Sequence, residues 1–415
     1  MTGDGVGDAR VLFRQRQYVS FLTARALGVL GTVVQSVTMG WQVYDMARAG
    51  RGVAESALYV GLLGLATFLP LFFLALPAGV VADRYSRRTI LIVCFLAEAV
   101  CAAALVATDL AGVLSVPVLI GIAFGFGIAR AFRSPAEVSL APMLVPRELL
   151  PRAIAWNSLA FQAGTISGPA LAGLIVGTWS SVHAYAVALG LYLAAVVGLS
   201  RISTSTTPAA KTGSRLMLVR EGLAWIWNNK VVFGAISLDL AAVLLGGVTA
   251  LLPVFARDVL RVGPEGFGVL RSAPAVGALS VALVLAARPI RRRAGSAMFS
   301  GVAVFGAATV VFALSRSFPL SLAALAVLGG ADMVSVYVRQ TLIQIVTPDE
   351  MRGRVAAVSF LFIGASNELG EFESGVTARI FGPVLAALLG GLASLFVTGL
   401  WSRLFPSLRK VDRLS

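Results

Sequence analysis

Three carboxylates stand within six residues in the stretch Gly364-Ala-Ser366-Asn367-Glu368-Leu-Gly370-Glu371-Phe-Glu373-Ser-Gly375. On a helix Glu368 and Glu371 share a face, while Glu373 lies about 160° from Glu371. Carboxylates crowded together away from water compete for ionisation, so one of them takes up a proton readily, which is the chemistry of a proton carrier. The other reading is a wet vestibule holding ordinary solvated acids, and it suits Glu373 best. Further charges punctuate apolar stretches elsewhere: Arg25, Glu98, Arg130, Asp239, Arg271, Asp332 and Arg339, with Gln35 as an uncharged companion. Asp332 and Arg339 are seven apart, two helical turns on one face.

Chemistry of other kinds finds no support. The single histidine, His183, sits at a predicted helix end, and Cys94 and Cys101 are seven apart on one helix, as small packing residues. No phosphate-binding loop, metal-ligand spacing or nucleophile–base constellation is present. No cofactor is expected, and neither a nucleotide-driven pump nor an enzyme is indicated.

The elements that hold these charges follow from composition. Of 415 residues, 58% are hydrophobic and 13% charged, against about 25% charged in a soluble domain. The apolar residues come in repeated runs of roughly 20, the length that crosses about 30 Å of hydrocarbon. Backbone in lipid must satisfy its own hydrogen bonds, so the runs are helices. The 43 glycines suit helices that pack closely there. Twelve cores are predicted, at 18–44, 56–82, 89–108, 113–132, 152–177, 181–200, 231–255, 266–287, 296–315, 319–338, 355–378 and 382–402.

Basic residues set the expected orientation. With the N-terminus inside, cytoplasmic segments and their borders carry 26 Lys and Arg and the external connections 6. Both termini are therefore expected in the cytoplasm. The same distribution removes a nucleic-acid reading of the +14 net charge, because the basic residues sit in short loops between spans.

An internal repeat divides the chain. An offset of 204 carries Gly64, Pro70, Arg84, Arg87 and Arg88 onto Gly268, Pro274, Arg288, Arg291 and Arg292. An offset of 202 carries Pro146, Glu148, Arg152, Ala155 and Gly168 onto Pro348, Glu350, Arg354, Ala357 and Gly370. The fold class expected is an all-α membrane protein, with twelve transmembrane helices in two parallel-repeat six-helix bundles. The domains are 1–200, a connecting segment 201–230 and 231–415. Within the connector, 201–214 reads as a linker and 216–228 as an amphipathic surface helix.

Two motifs carry a family resemblance. The turn between the second and third helices, Gly79-Val-Val-Ala-Asp83-Arg84-Tyr-Ser86-Arg87-Arg88, resembles the signature loop of the major facilitator superfamily, with Ser86 in place of its second Gly. A plain stop-transfer cluster would explain the arginines but not Asp83. The fifth helix contributes Gly164-Thr-Ile-Ser-Gly168-Pro169-Ala-Leu-Ala172-Gly173, which resembles that superfamily's antiporter motif, with Ala172 replacing a Gly. A generic small-residue packing face is the competing account. The stretches Pro142–Pro146, Pro348–Arg354, Ser366–Gly375 and Trp401–Leu408 are similar to the enterobactin-exporter-like branch of proton-coupled exporters.

The resemblance, which runs from Phe21 to Pro406, implies a secondary exporter working by alternating access in a bacterial inner membrane. It implies a gate in which Asp83, with Gly79, Arg84, Arg87 and Arg88, closes against the start of the eleventh helix, where Arg352 and Arg354 lie. It places the proton-coupling candidates at Glu368, Glu371, Asp239 and Asp332, and a substrate cavity near Arg25, Gln35, Arg130, Arg339 and Asn367. The expected partners are the lipid bilayer, protons and a small amphipathic molecule, siderophore-like or drug-like, handled by a monomer. An uptake symporter remains the alternative within the class, and a non-transporting membrane receptor or membrane-embedded enzyme outside it.

Overall fold

Long apolar runs with no water to satisfy their backbone can only close hydrogen bonds within themselves, and the computed structural model is accordingly helical. It describes residues 11–204, 206, 215–290 and 292–412, and among these there is no β-strand. The helices are, in order, the first (Arg16–Arg48), second (Val53–Arg84), third (Arg87–Leu110), fourth (Val116–Leu140), fifth (Leu150–Thr178) and sixth (Ser181–Ser200). A connector helix (Arg215–Asn228) leads to the seventh (Lys230–Val259), eighth (Gly263–Ala287), ninth (Ala294–Leu314), tenth (Phe318–Val346), eleventh (Asp349–Phe381) and twelfth (Pro383–Leu404). Eleven of the described helical stretches are long and apolar enough to cross a membrane. The eleventh helix is not among them: at 33 residues it has ample length, and its acids and arginines keep it from being apolar.

Boundaries differ from expectation in two informative places. The fourth helix runs to Leu140 rather than stopping near 132. Arg133 and Glu137 made that stretch look like a loop border, but both are drawn into the helix bundle. The seventh helix, expected to be continuous, breaks after Leu245. Gly246 and Gly247 interrupt it, a 3-10 turn follows at Val248–Leu251, and a π-turn closes it at Phe255–Val259. The signal was present as a Gly-Gly pair followed by Pro253.

Two compact units make up the chain. One comprises Met1–Gln42 and Ala66–Thr212, the other Val43–Leu65 and Gly213–Ser415. The first and second helices thus contribute to both. In the first unit the third helix is central, with the fourth and sixth packed along it. Its interior is built from Leu91, Phe95, Ala99, Phe126, Tyr185 and Tyr192. In the second unit the tenth helix packs along the eighth and ninth, and the twelfth along the ninth. Glycines allow this closeness: a Cβ on Gly277 would lie 1.8 Å from the Ala326 carbonyl oxygen, and one on Gly329 would lie 1.9 Å from that of Pro274. The connector helix packs on the eleventh helix, where Gly222 lies against the Arg354 backbone. Large apolar side chains such as Phe73, Val100 and Phe396 point outward, as a lipid solvent requires.

Candidate functional site

The Asp83–Arg88 turn is held by its own arginines. Arg87 donates to the Ser139 carbonyl (2.8 Å) and to the Met143 sulfur. Arg88 donates to the carbonyls of Leu199 (3.1 Å) and Ser200 (2.8 Å). These two side chains fasten the turn to the ends of the fourth and sixth helices, while Arg84 is exposed, Asp83 half-buried and Gly79 buried. Ser86 sits at φ −56° and ψ 120°, a conformation that needs no glycine. Its hydroxyl accepts from the Thr89 amide and meets the Thr206 hydroxyl at 2.8 Å, capping the third helix. The serine therefore does local work in place of the glycine that the motif resemblance leads one to expect.

The fifth helix presents its small residues to the first. A Cβ on Gly164 would lie 2.7 Å from a Val29 methyl, and one on Gly168 would lie 2.6 Å from a Val33 methyl. Pro169 and Gly173 are buried with them.

In the second unit, Asp239 of the seventh helix and Arg339 of the tenth form a buried ion pair, with the two residues 5% and 2% exposed. Arg339 is thus joined to Asp239 rather than to Asp332, the acid two turns away along its own helix, which is half-buried. A pair so enclosed is strongly held once formed, because either charge alone would be stranded.

The acids of the eleventh helix gather where three helices converge. The Glu371 carboxylate receives Arg271 of the eighth helix at 3.1 Å and lies beside Gly64 of the second. Arg271 also donates to the Thr249 carbonyl at 2.9 Å, in the 3-10 turn where the seventh helix breaks, a carbonyl that also accepts the Leu252 amide. The neighbouring Gly247 carbonyl accepts the Ser374 hydroxyl at 3.0 Å. Glu373 accepts from Thr377 at 2.6 Å. Glu368 is half-buried and Asn367 exposed. At the start of the helix, Arg352 donates to the Gln344 carbonyl (3.2 Å) and Arg354 pairs with Glu221 of the connector at 2.5 Å.

Within the first unit, Arg25 pairs with Glu137 of the fourth helix at 3.4 Å. Arg133 lies 3.8 Å from Glu137 and 2.9 Å from Glu98 of the third helix. Arg130 lies over the Phe126 ring at 5.7 Å. Gln35 is fully buried, and neither end of its amide finds a hydrogen-bond partner. Glu137 and Arg133 escaped the sequence reading because the apolar run had already ended; their spacing of four on one helical face was the available signal.

A further cluster went unforeseen. Asp258, in the π-turn of the seventh helix, accepts the Tyr44 hydroxyl at 2.5 Å and Arg48 at 2.9 Å, while its neighbour Arg257 pairs with Asp45. All five residues belong to the second unit. Among the described residues no group of histidine, cysteine and carboxylate side chains is arranged to hold a metal ion.

Comparison with known proteins agrees with this architecture. The model of the family described as transmembrane secretion effector matches residues 10–414. The multidrug efflux pump Tap of Mycolicibacterium fortuitum is 27% identical over 376 residues, covering 87% of this chain and 90% of its own. The enterobactin exporter EntS of Shigella boydii is 25% identical over 403 residues, covering 96% of this chain and 92% of its own. Among solved structures, a bacterial homologue of the human lysosomal transporter Spinster superposes with a TM-score of 0.71 at 15% identity, over 95% of this chain and 98% of its own. The D-xylose–proton symporter gives 0.71 at 12% identity, over 96% and 99%. These last two likenesses concern the fold alone. Taken with the helical bundles and their buried charges, the match along nearly the whole chain means that this protein belongs to the transmembrane secretion effector family of the major facilitator superfamily, a multi-pass membrane transporter of small molecules rather than an enzyme.

Proposed function

We propose that the chain is a proton-driven exporter of a small amphipathic organic molecule, an antiporter working by alternating access. The observation that carries this reading is similarity, over most of both chains, to two exporters with different cargoes, an enterobactin exporter and a multidrug efflux pump. Cargo differs between them, so the class of molecule, siderophore-like or drug-like, is as far as the similarity extends. The basic set Arg25, Arg130 and Arg339 suits an anionic cargo that takes the place of Glu137 at Arg25 and of Asp239 at Arg339, with Gln35 and Asn367 as further contacts.

In this reading the domains 1–200 and 231–415 rock about a midplane cavity as a monomer, joined by 201–230, with both termini in the cytoplasm of a bacterium whose inner membrane holds the protein. Glu368 and Glu371, with Asp239 and Asp332, take up the protons that drive the return step, since ionisable groups in hydrocarbon are costly and mark such relays. Gly164, Gly168, Pro169 and Gly173 favour export over uptake. Asp83 acts as a latch against the positive start of the eleventh helix, where Arg352 and Arg354 add charge-assisted bonds.

Metabolite profiling of cells and medium under iron limitation tests the reading, using deleted and complemented strains. A compound that accumulates inside the deleted strain and leaves when the gene returns identifies the cargo. Loss of an imported nutrient with no retained compound replaces export with uptake.

A further inference from the structure

Buried polar side chains form a column through the first unit that the motifs do not account for. Near the far end of the third helix, Asp109 accepts from the Gln42 amide at 2.9 Å, and the Tyr185 hydroxyl donates to the same amide's oxygen at 2.6 Å. Two turns along the sixth helix from Tyr185 stands Tyr192, and two turns along the first helix from Gln42 stands Gln35. Both are fully buried and neither makes a side-chain hydrogen bond. The Tyr192 ring stacks on Phe95 and lies over Gly31, one residue before Thr32. The Thr32 hydroxyl then meets Arg133 at 2.8 Å and Glu98 at 3.5 Å. Beyond Arg133 the row continues through Glu137 to Arg25.

Glu98 is the driest of the charged side chains from Glu98 to Arg25 in this row. Its side chain is 0% exposed, against 10% for Arg133, 13% for Glu137 and 15% for Arg25. Its Oε2 takes the contacts with Arg133 and Thr32, while Oε1 has no hydrogen-bond partner. The only guanidinium paired with it among the described residues, that of Arg133, is shared with a second carboxylate, that of Glu137. A carboxylate in hydrocarbon with half its acceptors idle and a divided counter-ion is relieved by taking a proton. The other charged groups that bear on it are Arg130 and Glu137 on the fourth helix, while the neighbouring titratable side chains, Cys94 and Cys101 on the third helix and Tyr192 on the sixth, are uncharged.

We infer that Glu98 is a proton-binding site inside the N-terminal bundle, separate from the acids of the eleventh helix. The inference rests on the proton-driven reading above and gives each half of the chain its own proton site. The proton adds to the idle Oε1. Arg133 is then left to Glu137 alone, so the charge imbalance passes along the row to Arg25.

An infrared pH titration of the purified protein in detergent, with no cargo and no gradient, tests this directly. The wild type should show a protonated-carboxyl band that appears as pH falls. E98Q should lose that band, and E98D should keep it at a shifted position. A spectrum unchanged by E98Q, or no titrating band that depends on residue 98, overturns the proposal. If E98Q does not elute as folded protein, E98D decides it: an unshifted band is then the overturning result. The titration needs no transport, so it can fail while export stands, and export can fail while the band holds.

Discussion

Glu137 and Arg339 occupy equivalent places in the two repeats, at the same offset of 202 that relates Pro146 to Pro348, yet they carry opposite charge. Each is paired with the first helix of its own repeat: Glu137 with Arg25, nine residues after the start of the first helix, and Arg339 with Asp239, nine after the start of the seventh. Arg130 and Asp332, seven residues earlier on the same two helices, are inverted in the same way. The repeat has kept the tie between equivalent helices and reversed its polarity.

Neutralising one member of the more buried tie should be severe. Asp239→Asn or Arg339→Ala strands a charge and should cost about 3–5 kcal/mol, seen as a large fall in melting temperature in detergent. Asp239→Asn combined with Arg339→Met should recover most of that loss. Arg25→Ala should fall in the same direction but by less, because its pair is partly solvated.

The approach of the second and eleventh helices depends on glycine. A Cβ on Gly375 would lie 2.8 Å from the Gly61 Cα, which is backbone that cannot swing aside. Gly375→Val should therefore destabilise by about 1–3 kcal/mol, and Gly399→Val, where a Cβ meets nothing within 4 Å, should not. Thermal melts of the two variants side by side check the difference.

Ser86 offers a finer test of the signature turn. Ser86→Ala removes the cap and the contact with Thr206 and should cost about 1 kcal/mol, whereas Ser86→Gly should cost only a few tenths. Guided by the motif alone, one would expect glycine to improve the protein; a melting temperature raised by Ser86→Gly would contradict the capping account.

Asp83→Asn should leave expression and melting temperature near wild type while slowing export of the cargo found by profiling. Undiminished transport by the well-folded variant would remove the latch from the mechanism.

The helices were legible in the sequence because hydrocarbon imposes one rule on every span, and runs of about 20 apolar residues report it directly. The eleventh was legible for a different reason: its ends lie where the repeat places them, even though Glu368, Glu371 and Glu373 spoil its hydropathy. What escaped was charge that folds inward. Arg133 and Glu137 read as a loop border because a linear scan sees a charge and not its partner on another helix. Arg339 looked as though it belonged with Asp332 on its own face, but Asp239 lay nearer in space. Tyr44 and Asp258 are 214 residues apart, a distance no local pattern spans.

The interruption at Gly246–Gly247 gives the seventh helix a pivot. A continuous helix resists bending because each turn is bonded to the next, whereas here the ladder narrows to a short 3-10 turn whose Gly247 and Thr249 carbonyls also take bonds from Ser374 and Arg271. Below the pivot Asp239 anchors the shaft to the tenth helix; above it Asp258 grips the end of the first. The two ends of one membrane span can therefore follow different partners, joined by a short 3-10 turn and two side-chain bonds rather than by a rigid rod.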